Sequence, residues 1–503
     1  MSASSRRQSF IFDPHNQIWK PLLALLFVLG AILRLVDISD PPLDFHPTRQ
    51  LRNALVARGI YYESQLNADP VLRDLASSFK KSVGQYEPPI IESLVAWTYT
   101  WSGGEHTWVA RVYASFFWLL AGLAIFDLGR RIASPEAALV ALAYYLILPF
   151  AVQASRSFQP DPLMTSAFVI GVYFLFRWME KQTWIWAVLA GLVLGFAVLV
   201  KVVIAFMVAG AAIGAVLSVY GWRRFWKSPQ AWSMALLMII PALAYYVIGH
   251  PDRSTEYFFS WTIGLLELLF STNFYARWLG FLHSLFSLTI ILLGLVGVLI
   301  SPPRIRVMLI GLWVGYFLYG MSLPFQMYTH SYYHIQIVPL VALGLAPVAK
   351  VLLDQVNRQG LFWKLAFILL AMAALVYPAW VARSILVAED FRNEPVFWEQ
   401  IGKAIPAEGK VIALTQDYGY RLMYFGWRKV TLWPGSSELS EIRAGERDIE
   451  TDFYDLTAGK DYFLITAFGQ YDKQPALQKI LEENYSVAAQ GGGYILFDLR
   501  HLK

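Results

Sequence analysis

Several short stretches of this sequence hold side chains that could bind an anion and move a proton. "DFHPTRQLRNALVAR" carries Asp44, His46, Arg49, Gln50 and Arg58, and "YEPPIIESLVAW" sets Glu87 before two prolines. Arg111 follows in "WVARVYASFFW", and "SRSFQPDPLMTS" brings Arg156, Gln159 and Asp161 close together. Lys201 interrupts a long apolar run, and "THSYYHIQIVP" supplies His330, Tyr332, Tyr333 and His334. Asp44, Glu87 and Asp161 are carboxylates that could take up a proton. Arg58, Arg111, Arg156 and Lys201 are cations suited to a phosphate, with His330, Tyr332 and Tyr333 as hydrogen-bonding helpers. His46, Arg49, Gln50, Gln159 and His334 are further polar groups that could line the same cavity.

Each group also has a plainer explanation. Asp161 between Pro160 and Pro162 suits a helix start, where a carboxylate caps free N–H groups and proline costs nothing. Arg156 and Lys201 could snorkel to an interface, and the tyrosines could anchor one. Jointly these explanations lose ground, because ionisable groups near a bilayer tend to face a cavity and mark function. His330 and His334 stand at i, i+4, a spacing that could share a metal, but no acidic residue lies nearby in sequence, so no metal site is assigned. The sequence has no P-loop, no dinucleotide-binding glycine fingerprint and no His-Glu-x-x-His.

The elements that must position these residues follow from hydropathy. The 503 residues are 57% hydrophobic and only 15% charged, against about a quarter charged in soluble domains. Apolar runs of the length needed to cross hydrocarbon recur. They predict a mainly α-helical polytopic membrane protein of about eleven spans: near 18–37, 108–128, 135–153, 161–178, 184–200, 202–220, 232–249, 282–301, 305–323, 333–351 and 362–382. The break at Lys201 between the fifth and sixth is the least sharp. Cysteine is absent, which excludes disulfides and thiolate chemistry. The net charge of +5 reads as a topology signal rather than an affinity for nucleic acid.

With the amino terminus in the cytoplasm, the inside connections hold Arg6, Arg7 and Lys20, then Arg130 and Arg131, Arg177 and Lys181, Arg223 and Lys227, Arg304 and Arg306, and Lys350 to Lys364. Every inside segment is basic, as the positive-inside rule requires. All the polar stretches above then fall on the outer side of a multi-pass plasma-membrane protein. A transmembrane domain is expected over residues 1–383, including an outer loop at 38–107 with amphipathic helices; Leu51, Ala54, Leu55 and Arg58 keep a helical period there. From 384 to 503 the pattern changes to a small extracytoplasmic α/β domain. "VFWEQIGKAI", "YRLMYFG" and "QPALQKILEEN" read as its helices; "KVIALTQ", "KVTLW", "DYFLITAF" and "GGYILFDLR" read as its strands.

The order of the pieces "TRQLRNALVAR", "YEPPIIESLVAWTYTWSGG", "WVARVYASFFW", "ASRSFQPDPLMTS", "LAGLVLGFAVLVKVVIAF" and "HSYYHIQIVPLVALGLA" resembles the GT-C fold of membrane glycosyltransferases. The likeness covers roughly residues 18 to 350 and is to the protein O-mannosyltransferase and lipid A aminoarabinose transferase group. The resemblance implies an inverting sugar transfer at the extracytoplasmic face, from a polyprenyl-phosphate sugar to an acceptor glycan, lipid or protein. No cofactor is required; a divalent cation stays open as an alternative but is not indicated. It places Arg111 and Lys201 on the donor phosphate and gives Asp161 the position of the family's acidic residue at this turn. In the family the first outer loop carries an Asp-Glu pair. Counting back from Ala57-Arg58, its places fall here on Arg49 and Gln50; either the base has moved, with Asp44 ranked before Glu87, or acceptor activation works differently, or transfer activity is lost. A transporter or flippase of a lipid-linked or anionic solute, and a non-catalytic GT-C-like subunit of envelope assembly, are the competing classes. Charges gathered at one face and the absence of an internal repeat favour the enzyme over the transporter.

The orientation can be measured on this cysteine-free chain. A single cysteine at Ser436 is expected to react with a membrane-impermeant maleimide in intact cells. Labelling only after lysis would reverse the topology.

Overall fold

Proline opens helix after helix in this chain, at Pro47, Pro70, Pro135, Pro149, Pro160, Pro229, Pro303 and Pro324. Its fixed φ suits the first turn, and its missing N–H would have no partner there. The computed structural model describes residues 17–84, 86–250, 260, 263–435 and 449–503; Arg6, Arg7 and Ser436 lie outside them. The chain divides into two units. One takes in residues up to Ile38, Gln85–Ile91 and Trp108–Glu389; the other takes in Ser39–Gly84, Glu92–Thr107 and Asp390–Lys503. The sequence reading drew its boundary at 383 and kept residues 38–107 with the spans, whereas most of that loop groups here with the carboxyl-terminal region.

The first unit is helical. Among the described residues seven helices are long and apolar enough to cross a membrane, and the pair Thr272–Phe286 and Leu288–Ile300, bent by 89°, makes an eighth. Shorter helices at Trp19–Leu35, Pro135–Ile147 and Trp184–Val200 stand where the remaining spans were expected. The chain is a multi-pass membrane protein. The break at Lys201 is real: Trp184–Val200 ends there, a single 3-10 turn at Val202–Ile204 follows, and Ala205–Tyr220 continues.

Water cannot drive helices together inside a bilayer, so close packing must, and small residues permit it. Ala205–Tyr220 and Pro303–Ser322 cross at glycines. A Cβ added to Gly210 would lie 2.0 Å from the Gly311 carbonyl oxygen, and one added to Gly311 would lie 2.0 Å from that of Gly210. Gly214 and Gly315 approach Val307 and Phe206 of the facing helix in the same way.

The second unit is built on a five-stranded sheet of β1 (Val411–Leu414), β2 (Thr431–Leu432), β3 (Tyr462–Ile465), β4 (Tyr485–Gly491) and β5 (Tyr494–Leu502), in the order β2-β1-β3-β5-β4. β1 runs parallel to β2 and β3, and β5 is antiparallel to β3 and β4. Alternate residues point to opposite faces. Ile412, Leu414, Phe463 and Ile465 join Phe453, Leu477 and Leu481 on one side; Val411, Ala413, Tyr462 and Leu464 join Trp398, Ile401 and Leu422 on the other. Helices cover both faces, so β1 and β3 are buried throughout, as parallel strands usually are.

Two features of this unit differ from the sequence reading. β4 went unrecognised, because most of its residues are exposed and it bulges, which erases the alternation of a half-buried strand. The helix Pro47–Ser64 is not a surface helix with one wet face: every residue from Gln50 to Gly59 is buried. The neighbouring Pro70–Ser82, where only Ala76 and Phe79 are buried, keeps the amphipathic pattern.

Gly311→Leu should force the two crossing helices apart and lower the melting temperature of the detergent-solubilised protein by several degrees. Gly280→Leu, at a position open to at least 4 Å, should melt with the parent. Equal melting of both variants would show that the glycine crossing is dispensable.

Candidate functional site

The helix Pro160–Lys181 begins at its proline and puts Asp161 in the first turn. Lys201, extended at φ −157°, stands between two helical segments. These two local features bring a carboxylate and an ammonium together: Lys201 Nζ donates to Asp161 Oδ1 at 2.8 Å, with the side chains 5% and 2% exposed. The Asp161 Oδ2 atom is buried without a hydrogen-bond partner. The rings of Tyr332 and Tyr333 lie 4.9 and 4.7 Å from Nζ, within the range where an aromatic face attracts a cation. His330 packs against both rings, and its Nδ1 is 2.7 Å from Thr329 Oγ1. Asp161, Lys201, His330, Tyr332 and Tyr333 therefore form one cluster. Glu87 is half-buried in the first unit, where the Tyr246 hydroxyl donates to the Leu199 carbonyl, 3.1 Å away and two residues before Lys201.

Arg111 and Arg156 both reach backbone carbonyls where the chain leaves the first helix. A helix ends with carbonyls that have no partner of their own, and these two side chains serve the end of Trp19–Leu35. Arg156 donates to the carbonyls of Arg34, Val36 and Asp37, and Arg111 to those of Asp37 and Ile38 at 3.2 and 3.0 Å. Gln159 is buried at the N-cap of Pro160–Lys181 without making a capping bond from its side chain. His334 lies deeper in the bundle. It is wholly buried, with Nδ1 2.7 Å from Tyr316 Oη and Nε2 2.9 Å from the Met327 carbonyl, so both ring nitrogens are engaged within the bundle rather than facing a cavity. Among the described residues no group of three or more His, Cys, Asp or Glu is arranged to hold a metal.

The remaining expected residues belong to the second unit. Asp44 is half-buried and accepts from Gln50 Nε2 at 3.2 Å; the same amide donates to the Phe45 carbonyl at 2.8 Å. His46 is the N-cap of Pro47–Ser64 in a left-handed conformation, its ring edge-on to Phe45. Arg49 is half-buried in the first turn of that helix. Arg58 is buried in the same helix. Its guanidinium pairs with Glu105 at 2.9 Å, donates to the Tyr424 carbonyl, and lies 3.9 and 4.3 Å from the rings of Tyr424 and Trp427. Burial opposes its charge, and Glu105 with Tyr424 outweighs burial to hold its pKa above the ordinary value.

Sequence reasoning missed three charged groups. Arg34 is 1% exposed and donates to Ser155 Oγ and to the carbonyls of Gly30 and Leu146, each at 2.9 Å. Its position at the end of an apolar run reads as interfacial, and nothing local shows that it turns inward. Glu105 gave no sign of its role because its partner is 47 residues away. Arg277 stacks 4.2 Å from the ring of Tyr328, in the turn before His330. It did leave a signal: it is the sole lysine or arginine between Arg253 and Arg304.

A family model described as "Dolichyl-phosphate-mannose-protein mannosyltransferase" matches residues 87–248. Among curated proteins none matches this sequence. Two solved structures resemble the chain over nearly its whole length. ArnT from Cupriavidus metallidurans bound to undecaprenyl phosphate superposes with a TM-score of 0.61 at 15% identity, covering 96% of this chain and 98% of its own. The archaeal oligosaccharyltransferase AglB from Archaeoglobus fulgidus, in complex with an inhibitory peptide and a dolichol-phosphate, gives a TM-score of 0.57 at 13% identity, covering 97% and 75%. The matches agree with the helical architecture and the small carboxyl-terminal sheet: this chain has the GT-C fold.

Proposed function

We propose that this protein is a membrane glycosyltransferase that takes its sugar from a polyprenyl-phosphate donor. One observation carries the reading: a desolvated lysine, held by Asp161 under two tyrosine rings, in a fold shared with a protein solved with undecaprenyl phosphate. A phosphate leaving group gains from a fixed cation and needs no strong general acid. Lys201 is the cation that meets the departing lipid phosphate, with Tyr332 and His330 as hydrogen-bonding neighbours. Asp161 orients Lys201, since a carboxylate bonded to an ammonium is a weak base. Arg111 and Arg156 act further back, by fixing the chain that leaves the first helix. The proton of the acceptor hydroxyl or amine passes to a carboxylate, Asp44 first and Glu87 second. The acceptor atom attacks the anomeric carbon opposite the phosphate, and that carbon–oxygen bond breaks with inversion. The basic connections support a reaction on the side of the membrane opposite to them, the outer side of the plasma membrane in this reading.

The test is binding of undecaprenyl phosphate to the protein in nanodiscs. A charge-assisted hydrogen bond is worth about 1.5–3 kcal/mol, so Lys201→Met should bind about tenfold or more weakly, while Lys227→Met should bind as the parent. Removing one member of a buried ion pair costs about 3–5 kcal/mol of stability. The double variant Asp161→Asn with Lys201→Met relieves that cost and should still bind weakly. Parental affinity in the double variant would remove Lys201 from the site. For the base, Asp44→Asn should abolish transfer from undecaprenyl-phosphate sugars in a membrane extract. Parental rates in both Asp44→Asn and Glu87→Gln would end carboxylate catalysis.

A further inference from the structure

The helix Pro70–Ser82 buries Ala76 and Phe79 and turns its other face outward. Asp74, Ser77, Ser78, Lys81 and Ser82 recur on that face at spacings of three and four, the repeat that sets side chains one above another on a helix. Three of the five are short serines, so the floor lies well below the reach of the lysine. An open cavity of about 520 Å³ results, lined by these five residues and by Lys429 from the carboxyl-terminal region. All six belong to the second unit.

A constrained turn brings Lys429 to this place. Trp427 ends the helix Tyr420–Gly426 in the left-handed region, at φ 52°, where a bulky residue persists only if its surroundings hold it. Its ring lies 6.3 Å from that of Phe79 and 5.6 Å from that of Tyr62, with the Arg58 guanidinium 4.3 Å above it. Phe79 belongs to Pro70–Ser82, so the contact that holds Trp427 also sets Lys429, two residues on, beside that helix.

The neighbouring cations are already engaged. Lys80 pairs with Glu63, which also accepts from Ser77 Oγ at 3.0 Å. Arg428 donates to the carbonyls of Gly402 and Ile405 at 3.0 and 3.2 Å. Lys81 and Lys429 are exposed, and among the described residues neither ammonium has an ion pair or a hydrogen bond. Asp74 does not neutralise them: seven residues before Lys81, it stands about 10 Å back along the helix.

Two uncompensated ammonium groups over a floor of hydroxyls suit a doubly charged oxyanion. Lysine binds phosphate as a point charge, and a phosphomonoester carries about −1.5 to −2 at pH 7 on three acceptor oxygens. A carboxylate or a phosphodiester brings only half of that charge. Every lining residue is polar, so an acyl chain or an aromatic ring gains little by entering. We infer that this cavity binds a phosphomonoester. Lys81 and Lys429 meet its phosphoryl oxygens, Ser78 donates to one of them, and Asp74 accepts from a hydroxyl elsewhere on the ligand. The site is additional to the one at Lys201 and does not rest on the donor reading.

Calorimetric titration of the protein in zwitterionic nanodiscs tests it, with glucose 6-phosphate as a soluble monoester and dioctanoyl phosphatidic acid as a lipid one. At least one should bind the parent, and which of them binds tells a soluble ligand from a lipid headgroup. Its affinity should fall about two- to fivefold in Lys81→Gln and in Lys429→Gln, the effect of one charge at an exposed site, and further in the double variant. Ser78→Leu fills the cavity without changing charge and should weaken binding as well. Lys403→Gln, in the same unit but paired with Glu399 at 2.6 Å, should bind as the parent. Parental affinity in the double lysine variant or in Ser78→Leu, or no binding of either probe, would overturn the site. Glucuronate binding as tightly as the monoester would overturn the phosphate assignment. Binding lost only in Asp161→Asn with Lys201→Met would move the phosphate to the buried pair and overturn the cavity.

Discussion

A lysine enclosed by apolar helices must find a negative partner, because the cost of burying an isolated charge exceeds what any surrounding packing returns. Lys201 finds Asp161, forty residues earlier, and much of the helical unit is arranged so that it can. The chain stops being helical at Lys201, between Trp184–Val200 and the 3-10 turn Val202–Ile204. Asp161 has to sit at the beginning of a helix, and the prolines on either side of it ensure that. The rings of Tyr332 and Tyr333 then occupy the space over the ammonium that water would otherwise fill. Removing any of these leaves a charge that the bundle cannot accommodate.

The buried cations of this protein solve their problem in two ways. Lys201 and Arg58 meet carboxylates. Arg156 and Arg111 meet carbonyl oxygens, the negative end of a helix dipole, and Arg34 adds the carbonyls of Gly30 and Leu146. Guanidinium suits the second solution because its fork of donors can reach several oxygens at once. Lysine, a point charge on a flexible stem, suits the first. Arg58 combines the two, pairing with Glu105 and donating to the Tyr424 carbonyl.

Local patterns were enough for the recurring apolar helices and for most strands and helices of the sheet domain, since those are encoded by periods of a few residues. Lys201 was legible as an anomaly, a charge between two apolar runs. What local patterns do not encode is who meets whom. Arg58 keeps a helical period with Leu51 and Leu55, so it looks like the edge of an amphipathic stripe. Only its meeting with Glu105 and Tyr424, remote in sequence, shows that the helix is enclosed on all sides. His334 looked like a partner of His330 because i, i+4 spacing implies a shared face, but Ser331–His334 is a 3-10 turn, and that turn directs the two rings to different neighbours.

The sheet of the second unit ends on one side with β2, two residues long, and on the other with β4, whose register against β5 shifts twice. An exposed strand edge is a template for another chain. The hazard is greater for a protein confined to a membrane, where copies diffuse in a plane and meet in nearly fixed orientation. A two-residue edge offers too few N–H and C=O groups to nucleate a ladder, and a doubly bulged one offers them out of line. The irregularity that hid β4 from its sequence pattern is therefore also what lets many copies crowd one bilayer without zipping together.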